Sequence, residues 1–277
     1  MALYEYEGKL NPNKLLILGP NKMYLKYMGD ISPDINKIKQ HTFEDFCKSR
    51  IPFEKYNYKL ENYYSYLKSL TSKDILSIKV KGSIDYKNKL NDYLITSRFT
   101  EKCLPDKGFK VDFEDINFKV NLGRLRKLFI NSIKTSSLAA GKERVLGILK
   151  QEAKSLSRGK ALDDKFDDRK FNNIVETEIK KLNKIWKIPN IFDIYFDFST
   201  NPDLIGNLIV ANKVKGFVDY NNHNRKNKII TFDDLPSLLF IQKRYFEGIG
   251  LLKEVGDKPY PTQEEFDYVV VDEVQDY

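Results

Sequence analysis

Val269-Val270-Val271 runs directly into two adjacent carboxylates, Asp272 and Glu273, and this leaves few architectures open. A continuous aliphatic run without polar alternation reads as a strand buried on both faces, the habit of parallel sheets wrapped by helices. Acids at the end of such a strand are placed for chemistry rather than for packing. Leu15-Leu16-Ile17-Leu18 is a second run of this kind, set between the turn signals Asn11-Pro12-Asn13 and Gly19-Pro20-Asn21. Leu3 to Lys9 reads as the end of a helix, and Met23, Tyr24, Tyr27 and Met28 have helical spacing up to Gly29. After Ser32-Pro33, Lys37 to Gln40 reads as a short strand, and Thr42 as the cap of a helix carrying Phe43, Phe46 and Cys47. Residues 1–50 therefore predict strand, helix, strand, helix, the first part of an α/β lobe.

Composition narrows the class. The chain has 277 residues, 41% hydrophobic, enough for a large buried core in one domain or two. Lys and Arg exceed Asp and Glu by 47 to 39, a formal net charge of +8 that suits contact with a phosphate backbone and equally suits a solvated lysine-rich surface. Cys47 and Cys103 form no C-x-x-C pair and only two histidines occur, which argues against a zinc site. So few cysteines imply a reducing compartment, and no apolar run approaches the ~18 residues a membrane span needs. The expected location is cytoplasmic.

Residues 51–225 read as a mainly helical insertion. Gly82-Ser83 opens a helix with Ile84, Tyr86, Leu90 and Tyr93-Leu94 on its apolar side. Phe109-Val111-Phe113 and Ile116-Phe118-Val120 alternate around Glu114-Asp115, predicting a β-hairpin. Helical spacing returns over Leu122 to Ile133, Val145 to Leu156, and Phe171 to Ile188, the last with Ile174, Ile179, Leu182 and Trp186 on one face. Residues 226–277 return to the lobe, with a helix begun by Asp233-Asp234 and Pro236 and running through Leu238, Ile241 and Tyr245.

Nucleotide phosphates are commonly cradled by G-x-x-x-x-G-K-[ST], whose backbone N–H groups wrap the phosphates. All three Gly-Lys pairs fail this pattern: Gly8-Lys9 has Leu3 in place of the first glycine, Gly141-Lys142 has Ser136, and Gly159-Lys160 has Lys154. The string Asp272-Glu273-Val274-Gln275-Asp276 does match the D-E-x-Q-D of UvrD/Rep-type superfamily 1 helicases. More narrowly, the chain resembles the HelD branch, motor ATPases that bind RNA polymerase. LILGPNKMYLKYMGDISP, IKQHTFEDF, KGSIDYKNKLNDYL, DDLPSLLF and FDYVVVDEVQD all have counterparts there in the same order.

The resemblance implies an α/β fold: a partial RecA-like (P-loop NTPase) lobe interrupted by the helical insertion, and a chain that is a fragment lacking its phosphate loop. It implies ATP and Mg²⁺ as cofactors of the intact parent, an ATP-dependent helicase, and single-stranded DNA or RNA polymerase complexes as partners. Asp272 would hold Mg²⁺ through water, Glu273 would deprotonate the attacking water, Gln275 would sense the γ-phosphate and Asp276 would hold the loop. Asn21 and Lys22 match one contact to the nucleic-acid backbone, and His41 and Thr42 match the next. The same residues also read as a strand-to-helix turn and a helix cap. Tyr24, Tyr27, Phe43 and Trp186 are candidates to stack on bases or to fill the core. In a second reading the insertion is a protein-binding arm that docks into RNA polymerase, with unwinding secondary or absent.

Overall fold

The structure is a computed structural model that describes residues 11–31, 33–68, 70–95, 97–158, 166–247 and 266–271. The expected helix from Leu3 to Lys9 and the acidic motif Asp272, Glu273, Gln275 and Asp276 lie outside the described residues.

In chain order the elements are β1 (Leu15–Leu18), α1 (Lys22–Ile31), β2 (Lys39–His41), α2 (Phe43–Arg50), β3 (Lys59–Leu60) and α3 (Tyr63–Lys68). Next come α4 (Ser72–Lys81), α5 (Ile84–Ile95), α6 (Ser97–Lys102), β4 (Phe109–Phe113), β5 (Ile116–Val120), α7 (Leu122–Ile133), α8 (Leu138–Arg158) and α9 (Asp168–Ile185). The series closes with α10 (Ile191–Ser199), α11 (Pro202–Ile205), α12 (Ala211–Asn227), β6 (Ile229–Ile230), α13 (Leu235–Ile241) and β7 (Tyr268–Val271). The fold is mixed α/β and mostly helical. The chain divides into two compact units: Met1–Leu70 with Asn224–Leu239 and Asp257–Tyr277, and Thr71–His223 with Phe240–Gly256.

In the first unit β2, β1 and β7 form a parallel sheet in that order. All four residues of β1 are buried, as a strand covered on both faces must be. Leu15 and Ile17 pack with Leu25, Ile35 and Ile38, and Met28 closes the edge of that cluster. Each such side chain contributes about 1.5–3 kcal/mol when fully removed from water. A Cβ on Gly19 would lie 2.5 Å from the Leu25 side chain, so a larger residue in the turn after β1 would push that core leucine aside. A second parallel pair, β3 with β6, is only two residues long. Beside it the Phe232 ring packs on Tyr63 at 4.4 Å and on Phe43 at 5.8 Å, and the Tyr66 hydroxyl donates to Asp233 Oδ1 at 2.9 Å.

One expectation about this unit is corrected, and one helix forms where its spacing predicts it. β7 pairs with β1 as a parallel strand, but its residues are 40–56% exposed rather than buried, since among the described residues only β1 flanks it. Met23 and Tyr27, which suggested the helix of α1, lie on its outer side at 82% and 60% exposure, whereas Leu25 and Gly29 face inward.

The second unit is built around α10, whose sequence Ile-Phe-Asp-Ile-Tyr-Phe-Asp-Phe-Ser is buried at every position but the two aspartates. A helix apolar on nearly all sides belongs in the middle of a domain. Phe198 meets Tyr86 at 5.1 Å and Tyr93 at 5.6 Å. The expected hairpin forms, β4 antiparallel to β5, with Phe109, Val111 and Phe113 inward and Glu114 at φ 50° in the turn. α8 begins earlier than its apolar spacing predicts, at Leu138. Trp186 ends α9 buried in the core, its indole N–H donating to the Cys103 carbonyl at 2.6 Å and its ring against Phe129. Lys142 donates to the carbonyls of Asn183 and Trp186 at 3.0 and 2.7 Å, a cation at the end of α9 where the helix dipole favours one.

Each unit holds one free, fully buried cysteine, Cys47 in the first and Cys103 in the second, and burial pushes both thiols up to about 12. Among the described residues no helix is long and apolar enough to cross a membrane.

Candidate nucleic-acid interface

Parallel pairing brings the carboxyl ends of β1 and β2 to one edge, with Leu18 opposite His41 and the Gly19 N–H donating to the His41 carbonyl at 3.1 Å. A helix starts immediately after each strand. Asn21 caps α1, its Oδ1 accepting from the Tyr24 N–H at 2.8 Å, and Thr42 caps α2, its Oγ1 accepting from the Asp45 N–H at 3.1 Å. Two helix starts thus sit at the same sheet edge, and first-turn N–H groups have no intrahelical acceptors and draw anions.

A pocket of about 290 Å³ opens there, lined by Lys22, Leu25, Lys26, Asn36, Gln40, His41, Thr42 and Asp45. Two side-chain amides of its lining are held by backbone carbonyls: Asn36 donates to the Gly29 carbonyl and Gln40 to the Ile35 carbonyl, each at 3.0 Å. A Cβ on Gly29 would sit 2.1 Å from Asn36 Oδ1, so a larger residue there would displace the Asn36 side chain. Lys22 Nζ lies 3.2 Å from Asp45 Oδ2. Burial works to raise the Asp45 pKa, but the hydrogen bonds from Lys22 and Thr42 and the charges of Lys22 and Lys48 outweigh it and hold the carboxyl below its ordinary value.

The site therefore gathers Lys22, His41 and Thr42, with Asn21 at the adjoining cap, although about twenty residues separate the two pairs in sequence. Two cationic side chains beside two helix starts can hold a phosphate group. Sequence reasoning missed Lys26 and Asp45. The first was legible as one helical turn beyond Lys22, the second as the acid of a T-x-x-D helix start. Of the aromatic candidates, Trp186 is core, Phe43 packs on Phe232, Tyr24 is half-buried and Tyr27 stands exposed on α1.

On the other side of β1, Leu18 pairs with Val271, the residue that precedes Asp272 in the sequence. Among the described residues no group of three or more His, Cys, Asp or Glu side chains could hold a metal ion. No protein-family model matches the chain, and no curated protein matches it.

Proposed function

We propose that the chain is part of an ATP-dependent superfamily 1 helicase or translocase, working in the cytoplasm, and that the edge formed by β1 and β2 is its contact to a single nucleic-acid strand. The observation that carries the reading is the meeting of Lys22, His41 and Thr42 around one pocket at the ends of neighbouring parallel strands, with Asn21 at the adjoining cap. Helix caps and lysines of this kind position a phosphodiester backbone without reading its bases. The β7 register supports a RecA-like lobe, since it sets the valines before Asp272 and Glu273 beside β1. Mg²⁺ and ATP enter through that motif alone; bound by Asp272, Mg²⁺ would neutralise charge on the transferring phosphate, and Glu273 would take the proton from water.

The test is fluorescence anisotropy of a labelled oligothymidylate across a salt series. Lys22→Ala with Lys26→Ala is expected to lower affinity about tenfold and to flatten the slope of log K against log salt by about 1.4, two phosphate contacts on a single strand. Equal binding by the wild type and this double variant would sink the reading.

A second reading, favoured by Ile75, Ile78 and Ile84 being 45%, 37% and 74% exposed, makes the second unit a protein-binding arm for RNA polymerase, with unwinding secondary or absent. Such an arm would retain core RNA polymerase on a column. Substituting the three isoleucines by serine would abolish that retention, and unchanged retention would rule this surface out.

A further inference from the structure

We propose that Asp45 sets how tightly this edge takes a nucleic-acid strand: its carboxylate stands in for the phosphate, and the strand binds by displacing it from Lys22. The inference rests on the nucleic-acid reading of the site.

Threonine caps a T-x-x-D helix start at three places in this chain, Thr42, Thr71 and Thr231; in a fourth T-x-x-D, Thr200 to Asp203, the cap is Asn201 instead. Two of the acids fold back. Asp74 Oδ2 accepts from the Thr71 N–H at 2.7 Å, and Asp234 Oδ2 accepts from the Thr231 N–H at 2.9 Å, and both aspartates are buried. Asp45 closes no such box, although its carboxylate does accept from the Thr42 hydroxyl. Its carboxylate lines the pocket and meets Lys22. Local sequence alone does not demand this, since the same pattern closes the box twice elsewhere.

An oxyanion at the start of α2 and within reach of Lys22 is what a backbone phosphate would present to this edge. Asp45 occupies that place in the chain on its own. The contact is also easy to open, because the Lys22 and Asp45 side chains are 78% and 32% exposed and ion pairs so open to water are weak. A ligand with a single charged oxygen gains little by replacing one carboxylate with another anion. A strand carrying successive phosphates gains more, since Lys26 lines the same pocket one helical turn on. Asp45 thereby favours polymeric over isolated phosphate.

The experiment uses the 277-residue chain and a fluorescein-labelled oligothymidylate about 16 nucleotides long, over a salt series. Four proteins are compared: wild type, Asp45→Asn, Lys22→Ala and the double variant. Asparagine keeps the backbone N–H that donates to Thr42, so the helix start is retained; Asp45→Ser repeats the test with a different side chain. Asp45→Asn is expected to bind about two- to fivefold more tightly at low salt and to steepen the log K against log salt slope by about 0.7. Lys22→Ala should cost more affinity on the Asp45→Asn background than on the wild type, because the lysine is then fully given to the strand. Inorganic phosphate as competitor should displace the oligomer more readily from Asp45→Asn than from the wild type. If Lys22→Ala weakens wild-type binding but Asp45→Asn binds no better than wild type, the displacement idea is overturned and the interface stands. If neither wild type nor Asp45→Asn binds the oligomer, the interface is refuted and the displacement idea falls with it.

Discussion

The helix starts at Thr231 and at Thr42 share a local pattern and a structural unit, yet they spend their acids differently. Asp234 is fully buried and accepts hydrogen bonds from both the N–H and the hydroxyl of Thr231. Asp45 stays at the rim of a pocket, where it meets a lysine from another helix as well as the Thr42 hydroxyl of its own turn. Where such an acid closes on its own turn it serves the fold, and where it opens toward a neighbouring cation it becomes available to a ligand. Asp74 in the second unit sharpens the contrast, because it closes its box at Thr71 and also accepts from the Tyr220 hydroxyl at 2.7 Å, 146 residues away.

Removing each acid in turn separates the three roles. Asp74→Ala should have the largest effect, a loss of about 3 kcal/mol, since it strips a cap and leaves the Tyr220 hydroxyl without this acceptor. Urea unfolding of the second unit would read it, and a loss near zero would show that the box does not hold the helix. Asp234→Ala should cost about 2 kcal/mol by leaving the Thr231 N–H buried without that partner. Hydrogen exchange around β6 and α13 should rise with it. Asp45→Asn should cost less than about 1 kcal/mol, the upper end for a pair this exposed. Its pH dependence has a definite sign. The folded-state pKa of Asp45 lies below its ordinary value of 3.8, so what the carboxylate contributes is present above that value and fades as pH falls through the folded one. The small gap between wild type and Asp45→Asn should therefore close in acid, and a gap that widened below pH 3.8 would contradict the assignment.

Much of the framework was legible because its signals are local. Alternation over Phe109 to Val120 yields the hairpin, and apolar spacing over Leu122 to Ile133 yields α7 with the expected bounds. The turn at Gly19 and the cap at Thr42 are likewise read from residues in contact with their own neighbours. What was hidden depends on partners distant in sequence. Lys59-Leu60 and Ile229-Ile230 are too short to announce strands, and only their mutual pairing makes them so. Spacing showed that Met23 and Tyr27 lie on a helix but not which side the sheet would cover. At the site, the residues that match a backbone contact were visible in sequence. The direction taken by Asp45 was not, because T-x-x-D is equally compatible with a closed box.

The two buried cysteines make the chain a pair of chemical clocks. A thiol held near pKa 12 in a closed core is protonated and out of reach, so an alkylating reagent can mark it only while its surroundings are open. Because Cys47 belongs to the first unit and Cys103 to the second, the mass of the labelled peptides times the opening of each unit separately in a single sample. Asp234→Ala should hasten only the Cys47 mark and Asp74→Ala only the Cys103 mark; marks that quicken together in either variant would mean that the two cores open as one.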